Sequence, residues 1–177
     1  MAVIRTHAGK TISDAKEVVS FLTQNGIEFS MWGTDRVPKS VSAKTLSQAE
    51  KDEILAKYKP EIDALIARKG YIVADMVSLS PDTPKLPEIL ATFKREHFHT
   101  DDEVRFVVAG SGIFYIRGKD GNIFECEVHA GDLIVVPQNS WHYFDLCADQ
   151  QIACVRVFKT KEGWVANFKD EQKVANA

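Results

Sequence analysis

From Tyr71 to Phe158 the chain is a succession of short apolar or alternating runs broken at close intervals by turn residues, and this spacing constrains its fold most. Runs at Tyr71 to Leu79, Val104 to Val108, Ile113 to Arg117, Ile123 to Val128, Leu133 to Val136 and Ile152 to Phe158 are too short for helices of ordinary length. Gly110-Ser111-Gly112, Lys119-Asp120-Gly121 and Ala130-Gly131 fall between them as turn signals. Closely spaced strands with such punctuation predict an antiparallel barrel or sandwich. Pro81, Pro84 and Pro87 mark a loop after the first run, and a short helical turn is expected around Leu86 to Phe93.

Before Tyr71 the period is different. Val18, Val19, Phe21 and Leu22 predict a helix from Ala15 to Gln24, ended by Asn25-Gly26. Ser47 and Glu50 have the spacing of a capping box, in which each side chain satisfies the other's unpaired amide, so a helix is expected from about Gln48 to Tyr58. Pro60 is placed to open another, with Ile62, Leu65 and Ile66 on one face and Gly70 as its stop. The first third therefore reads as three helices.

With 177 residues, of which 45% are apolar, the chain can bury one full-sized core, so a single domain is expected, helical over about 1–70 and barrel over about 71–168. A net charge of -3 offers no basic stripe for nucleic acid and no polybasic membrane anchor. The first residues lack the pattern of a signal peptide, and no apolar run reaches bilayer-spanning length, so a cytoplasmic protein without membrane partners is expected, acting as a monomer. Cys126, Cys147 and Cys154 have no paired spacing and read as reduced structural thiols.

The chemistry concentrates in His97-Phe98-His99-Thr100-Asp101-Asp102-Glu103, with His142 further on. On a strand without a bulge, residues two apart share a face, so His97, His99, Glu103 and Arg105 would all point the same way. Imidazole and carboxylate ligands without thiolate suit Fe²⁺, Ni²⁺, Mn²⁺ or Zn²⁺, and such a set leaves positions open for water, substrate or dioxygen. An isolated histidine is ordinarily a surface or core residue, which is how His7 and His129 are read. Four aligned donors on strand-like sequence point instead to one metal ion.

This pattern resembles the two motifs of the cupin superfamily. The first is matched by His97, His99, Glu103 and Gly110, with Ala91 where a glycine usually leads, and the second by Gly131, Pro137 and His142. Asn139 stands at a usual glycine and Leu146 at a usual asparagine. Within the cupins, the stretch from Glu96 to Asp145 is similar to the acireductone dioxygenases of methionine salvage. The resemblance implies a mainly β fold, a jelly-roll-like cupin barrel with the N-terminal α-helices packed outside. It implies one Fe²⁺ or Ni²⁺ on His97, His99, Glu103 and His142, with acireductone and dioxygen as substrates. In that family the iron form yields formate and a 2-oxo acid, and the nickel form an off-pathway cleavage that also releases carbon monoxide. The same ligands could serve a cupin isomerase or decarboxylase without oxygen, or a non-catalytic cupin module.

Arg105 should face inward among the ligands, where an unpaired guanidinium would be very costly. Its counter-ion is either a protein carboxylate such as Asp75, Asp101 or Asp102, or the substrate; by resemblance it helps form the enediolate dianion. Arg156, in the apolar run Ala153 to Phe158, is a second arginine for that role, with an outward-facing surface residue as the ordinary alternative. Phe93, Phe144 and Trp164 are expected to line the pocket around a methylthio tail, although aromatics in a barrel are commonly plain core. Glu96 and Asp102 are expected, by resemblance, to support metal loading or loop position.

Overall fold

The computed structural model describes residues 1–39, 41, 46–160 and 165–169. The expected helices form where their signals lie: α1 (Ala15–Gln24), α2 (Gln48–Lys57), α3 (Lys59–Lys69) and α4 (Leu86–Phe93). Asp14 caps α1 through the amides of Lys16 and Glu17. At α2 the capping box closes, the Ser47 amide donating to Glu50 Oε2 at 2.8 Å and the Glu50 amide to Ser47 Oγ at 3.3 Å. Gly70, at φ 72°, ends α3 in the left-handed conformation that glycine adopts without a steric penalty.

The strands are β1 (Val3–Arg5), β2 (Thr11–Ile12), β3 (Glu28–Met31), β4 (Val73–Leu79), β5 (His97–Phe98), β6 (Glu103–Arg117), β7 (Ile123–His129), β8 (Asp132–Val136), β9 (His142–Leu146), β10 (Ile152–Phe158) and β11 (Asn167–Phe168). One layer runs β2-β1-β7-β6-β9-β5-β11 and the other β4-β10-β6-β8-β3, all pairs antiparallel, with β6 common to both. This is the mainly β cupin architecture. The first third is less purely helical than its sequence reads, because β1, β2 and β3 are too short to leave a periodic signal; β1 and β3 are fixed by pairing with β7 and β8 far along the chain, and β2 by pairing with β1.

β6 organises the molecule. The sequence divides it into two strands at Gly110-Ser111-Gly112, but it continues through all fifteen residues with a bulge rather than a turn. Opposite β10 its register steps from Val107↔Cys154 to Ala109↔Ala153, so Val108 is the extra residue. The consequence is a change of parity. Glu103, Arg105 and Val107 turn into the barrel before the bulge, and Phe114 and Ile116 after it. Val104, Phe106 and Val108 point to the opposite face, where they pack with Ile54, Tyr58, Ile62 and Leu65 of the α2–α3 pair. Those two helices therefore lie outside the barrel, as expected, whereas Val18 and Leu22 of α1 and Leu86 and Leu90 of α4 join the inner cluster.

Gly110 holds the bulge at φ 73°, and a Cβ there would sit 2.1 Å from the carbonyl oxygen of Gln151. Both the backbone conformation and the close approach require glycine. Gly110→Ala is therefore expected to cost about 2–4 kcal/mol of stability, measured by urea unfolding; a loss within the noise of a surface substitution would show that the bulge is not rigidly specified.

Candidate metal centre

Three histidines and one glutamate converge from three strands. β5 carries His97 and is followed by His99, β6 begins with Glu103, and β9 begins with His142, whose Cα partner across the sheet is His97. The uninterrupted strand expected from His97 to Arg105 is thus broken after Phe98. The shared face survives because β5 and β6 both border β9.

The rings pack closely, with centroids 5.0 Å apart for His97 and His99, 4.7 Å for His97 and His142, and 5.5 Å for His99 and His142. One ligand atom from each lies within 4.8 Å of the others. Backbone carbonyls fix their tautomers: His97 Nδ1 is 2.6 Å from Arg95 O, His99 Nδ1 3.3 Å from Val165 O, and His142 Nδ1 2.8 Å from Ser140 O. With each Nδ1–H donated outward, each Nε2 presents a lone pair to the centre. Glu103 Oε2 approaches His142 Nε2 to 2.6 Å, yet neither atom has a hydrogen-bond partner of acceptable geometry, and both are buried. Two buried acceptors this close require a proton or a cation between them, and a shared cation satisfies both. The four side chains fit a metal ion.

The electrostatics agree. Burial pushes His97 down to about 4, helped by the neighbouring His142, and burial also lowers His99, so both stay neutral donors near pH 7. Burial works against charge on Glu103, but Arg105 and His142 outweigh it and hold the carboxyl well below its usual range. At His142 burial is again opposed, and here exceeded, by the Glu103 carboxylate, which raises it. The carboxylate that draws a proton toward His142 draws any cation there equally.

Arg105 lies inside this centre, its Nη2 2.5 Å from Glu103 Oε1 and its Nη1 donating to Val104 O at 3.0 Å. Burial lowers its pKa against the pull of Glu103. The carboxylate beside it is therefore the proposed metal ligand itself. Asp75 holds Arg156 instead, with Nε–Oδ1 at 2.6 Å and Nη2–Oδ2 at 2.5 Å. Arg156 borders the same pocket as Arg105, which corrects the outward-facing alternative.

That pocket has a cavity volume of ≈ 230 Å³, and Val77, Leu79, Phe93, Phe144, Ile152 and Cys154 form its apolar wall. Gly112 makes room for Phe144, whose ring would come within 2.3 Å of a Cβ there. Trp164 lies outside the described residues. Glu96 accepts from Arg117 Nε at 2.8 Å and Lys169 Nζ at 2.6 Å, tying β11 to the end of β6. Asp102 accepts from Tyr71 Oη at 2.7 Å and from the Gln138 amide at 3.0 Å. Both are thus placed to position loops. Sequence reasoning missed Val77, Leu79, Ile152 and Phe168, which also border the pocket, and it missed Val165, because a backbone carbonyl acting on His99 leaves no mark in residue type. Asn139, at the family's usual glycine, has φ 63°, a conformation asparagine tolerates, and its amide donates to His99 O at 2.8 Å. All three cysteines are free, Cys126 and Cys154 buried; burial pushes the Cys154 thiol up to about 12. Among the described residues, no helix is long and apolar enough to cross a membrane.

Fold and site together define a cupin with a metal site built on three histidines. The model of the ARD/ARD′ family matches residues 1–166, and the chain belongs to that family. It is 46% identical to the acireductone dioxygenase of Bacillus subtilis (strain 168) over 174 residues, which is 97% of this chain and 98% of that protein. It is 47% identical to an acireductone dioxygenase of Bacillus cereus over 167 residues, 93% of this chain and 98% of the relative. The solved acireductone dioxygenase from Bacillus anthracis, with a cadmium ion in its active centre, superposes with a TM-score of 0.92 at 45% identity, covering 95% of this chain and 98% of that one.

If His97, His99, Glu103 and His142 hold the ion, the folded state is stabilised by metal in proportion to its affinity. Adding Ni²⁺ to stripped protein is expected to raise its melting temperature, and His142→Ala to abolish that rise together with bound metal measured by mass spectrometry. A variant that still takes up about one ion per chain would remove His142 from the ligand set.

Proposed function

We propose that this chain is a metal-dependent dioxygenase that cleaves acireductone, 1,2-dihydroxy-3-oxo-5-methylthiopentene, with dioxygen to formate and 4-methylthio-2-oxobutanoate in methionine salvage. The observation that carries this reading is one pocket in which the His97, His99, Glu103 and His142 donors, the Arg105 guanidinium and an apolar wall meet. Full-length similarity to acireductone dioxygenases supports it further.

Each residue then has a task. His97, His99, Glu103 and His142 hold Fe²⁺ or Ni²⁺, which supplies Lewis acidity and a template for a chelating enediolate. Arg105 stabilises the substrate as an anion: a preorganised guanidinium in a water-poor site interacts with developing charge far more strongly than it would in water. Its contact with Glu103 fixes the fork, so no reorganisation is needed when substrate enters. Arg156, gripped by Asp75, forms part of the same wall. Phe93 and Phe144 place aromatic edges around the methylthio end, where sulfur–aromatic contact is favourable, and Trp164 is assigned the same part. Glu96 and Asp102 keep the loops beside the ligands in place. The cavity is below the ~300–1,000 Å³ of drug-sized sites, in keeping with a small substrate. The same reading takes the chain as one cupin domain, active as a monomer in the cytoplasm, where free thiols persist.

Stripping the metal and reloading with Fe²⁺ or Ni²⁺ separately is expected to give two forms that both consume dioxygen with acireductone but partition to different products, read as 2-oxo acid, formate and carbon monoxide. Oxygen-independent turnover supported by Mn²⁺ or Zn²⁺ instead would replace the dioxygenase with an isomerase. Arg105→Met is expected to keep most of its metal while kcat/KM falls about 10²–10³-fold, the effect of removing one preorganised charge donor. Loss of metal in that variant would assign the arginine to the Glu103 carboxylate rather than to substrate.

A further inference from the structure

The barrel-facing side of β4, β10 and β6 carries three charges in one cross-strand row. Asp75 lies directly opposite Arg156, and Arg156 directly opposite Arg105. Their parity is the inward one, shared with Val77 and Leu79 on β4, with Ile152 and Cys154 on β10 and with Val107 on β6. Side chains directly opposed on antiparallel strands are close neighbours, and like charges so placed destabilise the pair. The row is balanced at its ends: Asp75 grips Arg156 through two short contacts of 2.6 and 2.5 Å, and Glu103 meets Arg105 at 2.5 Å. The two ends differ in kind. Glu103 is committed to the proposed metal centre, while Asp75, with its side chain 41% exposed, forms its ion pair with Arg156 at the pocket's edge.

We propose that Asp75 is a positioning residue that matches the charge of Arg156, so that this guanidinium is withheld from anionic ligands in the pocket and a carboxylate product is released. The inference rests on the reading above, since it takes that product to be a 2-oxo acid. A planar guanidinium held bidentate by a carboxylate has its fork occupied, and only without that carboxylate can the fork turn to a carboxylate in the cavity.

The test is calorimetric titration of the anaerobic metal-loaded protein with 4-methylthio-2-oxobutanoate, using wild type, Asp75→Asn, Asp75→Glu and the double variant Asp75→Asn with Arg156→Gln. Asp75→Asn is expected to bind the 2-oxo acid about tenfold more tightly at unchanged metal content, and in turnover to show stronger product inhibition and a lower kcat with little rise in KM. Asp75→Glu should restore wild-type affinity, and the double variant should cancel the gain, because the effect passes through Arg156. Unchanged or weaker binding in Asp75→Asn, or tight binding that persists in the double variant, overturns the proposal. If Asp75→Asn fails to fold, Arg156→Gln carries the test: a guanidinium already withheld contributes nothing to the ligand, so its removal should leave the affinity for the 2-oxo acid within about twofold of wild type, and a loss of about tenfold or more overturns the proposal. Wild-type protein inert toward acireductone would sink the assigned reaction, whereas the affinities for the carboxylate are read without turnover and judge Asp75 separately.

Discussion

The structure depends on a single strand having to serve two layers. β6 pairs with β8 and β10 along its first half and with β7 and β9 along its second, and the two layers require different residues to turn inward. One extra residue at Val108, made possible by the left-handed Gly110, meets that requirement. Without it, either Glu103 and Arg105 would face the helices or Phe114 and Ile116 would leave the core, since a one-residue slip carries every side chain to the other face. Barrel packing and metal chemistry are therefore not separable designs: the same offset produces both.

The burial of charge follows from this. Glu103 and Arg105 are carried inside by the pleat whether or not a ligand is present, and each offsets part of the cost of burying the other. Around them the three imidazoles are oriented by carbonyls of their own or distant segments, and burial keeps His97 and His99 neutral. The ligands are thus held by backbone geometry from β5, β9 and the stretch before β11, which leaves the pocket's remaining wall to be apolar and to fit a small organic molecule.

Much of this was legible in the sequence, and unevenly so. The four proposed ligands could be read because imidazole and carboxylate at strand spacing have few other uses, and the helices because capping chemistry at Ser47, Glu50 and Gly70 is local. What escaped reading was non-local. β1, β3 and β9 are defined by partners rather than by composition; Gly110 looks the same in a turn and in a bulge; and the match between Asp75 and Arg156, which changes what Arg156 can do, depends on a register between segments 81 residues apart. The expectation that His97 to Arg105 is one strand was wrong, yet its conclusion about a shared face held, because β9 lies beside both pieces and realigns them.

The pairing of β1 with β7 and of β3 with β8 has a consequence for how the chain reaches this state. Ile4 meets Cys126, and Phe29 meets Ile134, across more than a hundred residues in each case. During synthesis, β1 leaves the ribosome roughly six to twenty-four seconds before its distant partner β7 exists, at ~5–20 residues per second. Throughout that interval the edges of β1 and β3 lack the long-range strands they will pair with, and the loop that must close to join them is long. Until β7 and β8 are made, those edges are open to pairing with foreign strands, so the earliest part of the chain carries the greatest exposure to mispairing.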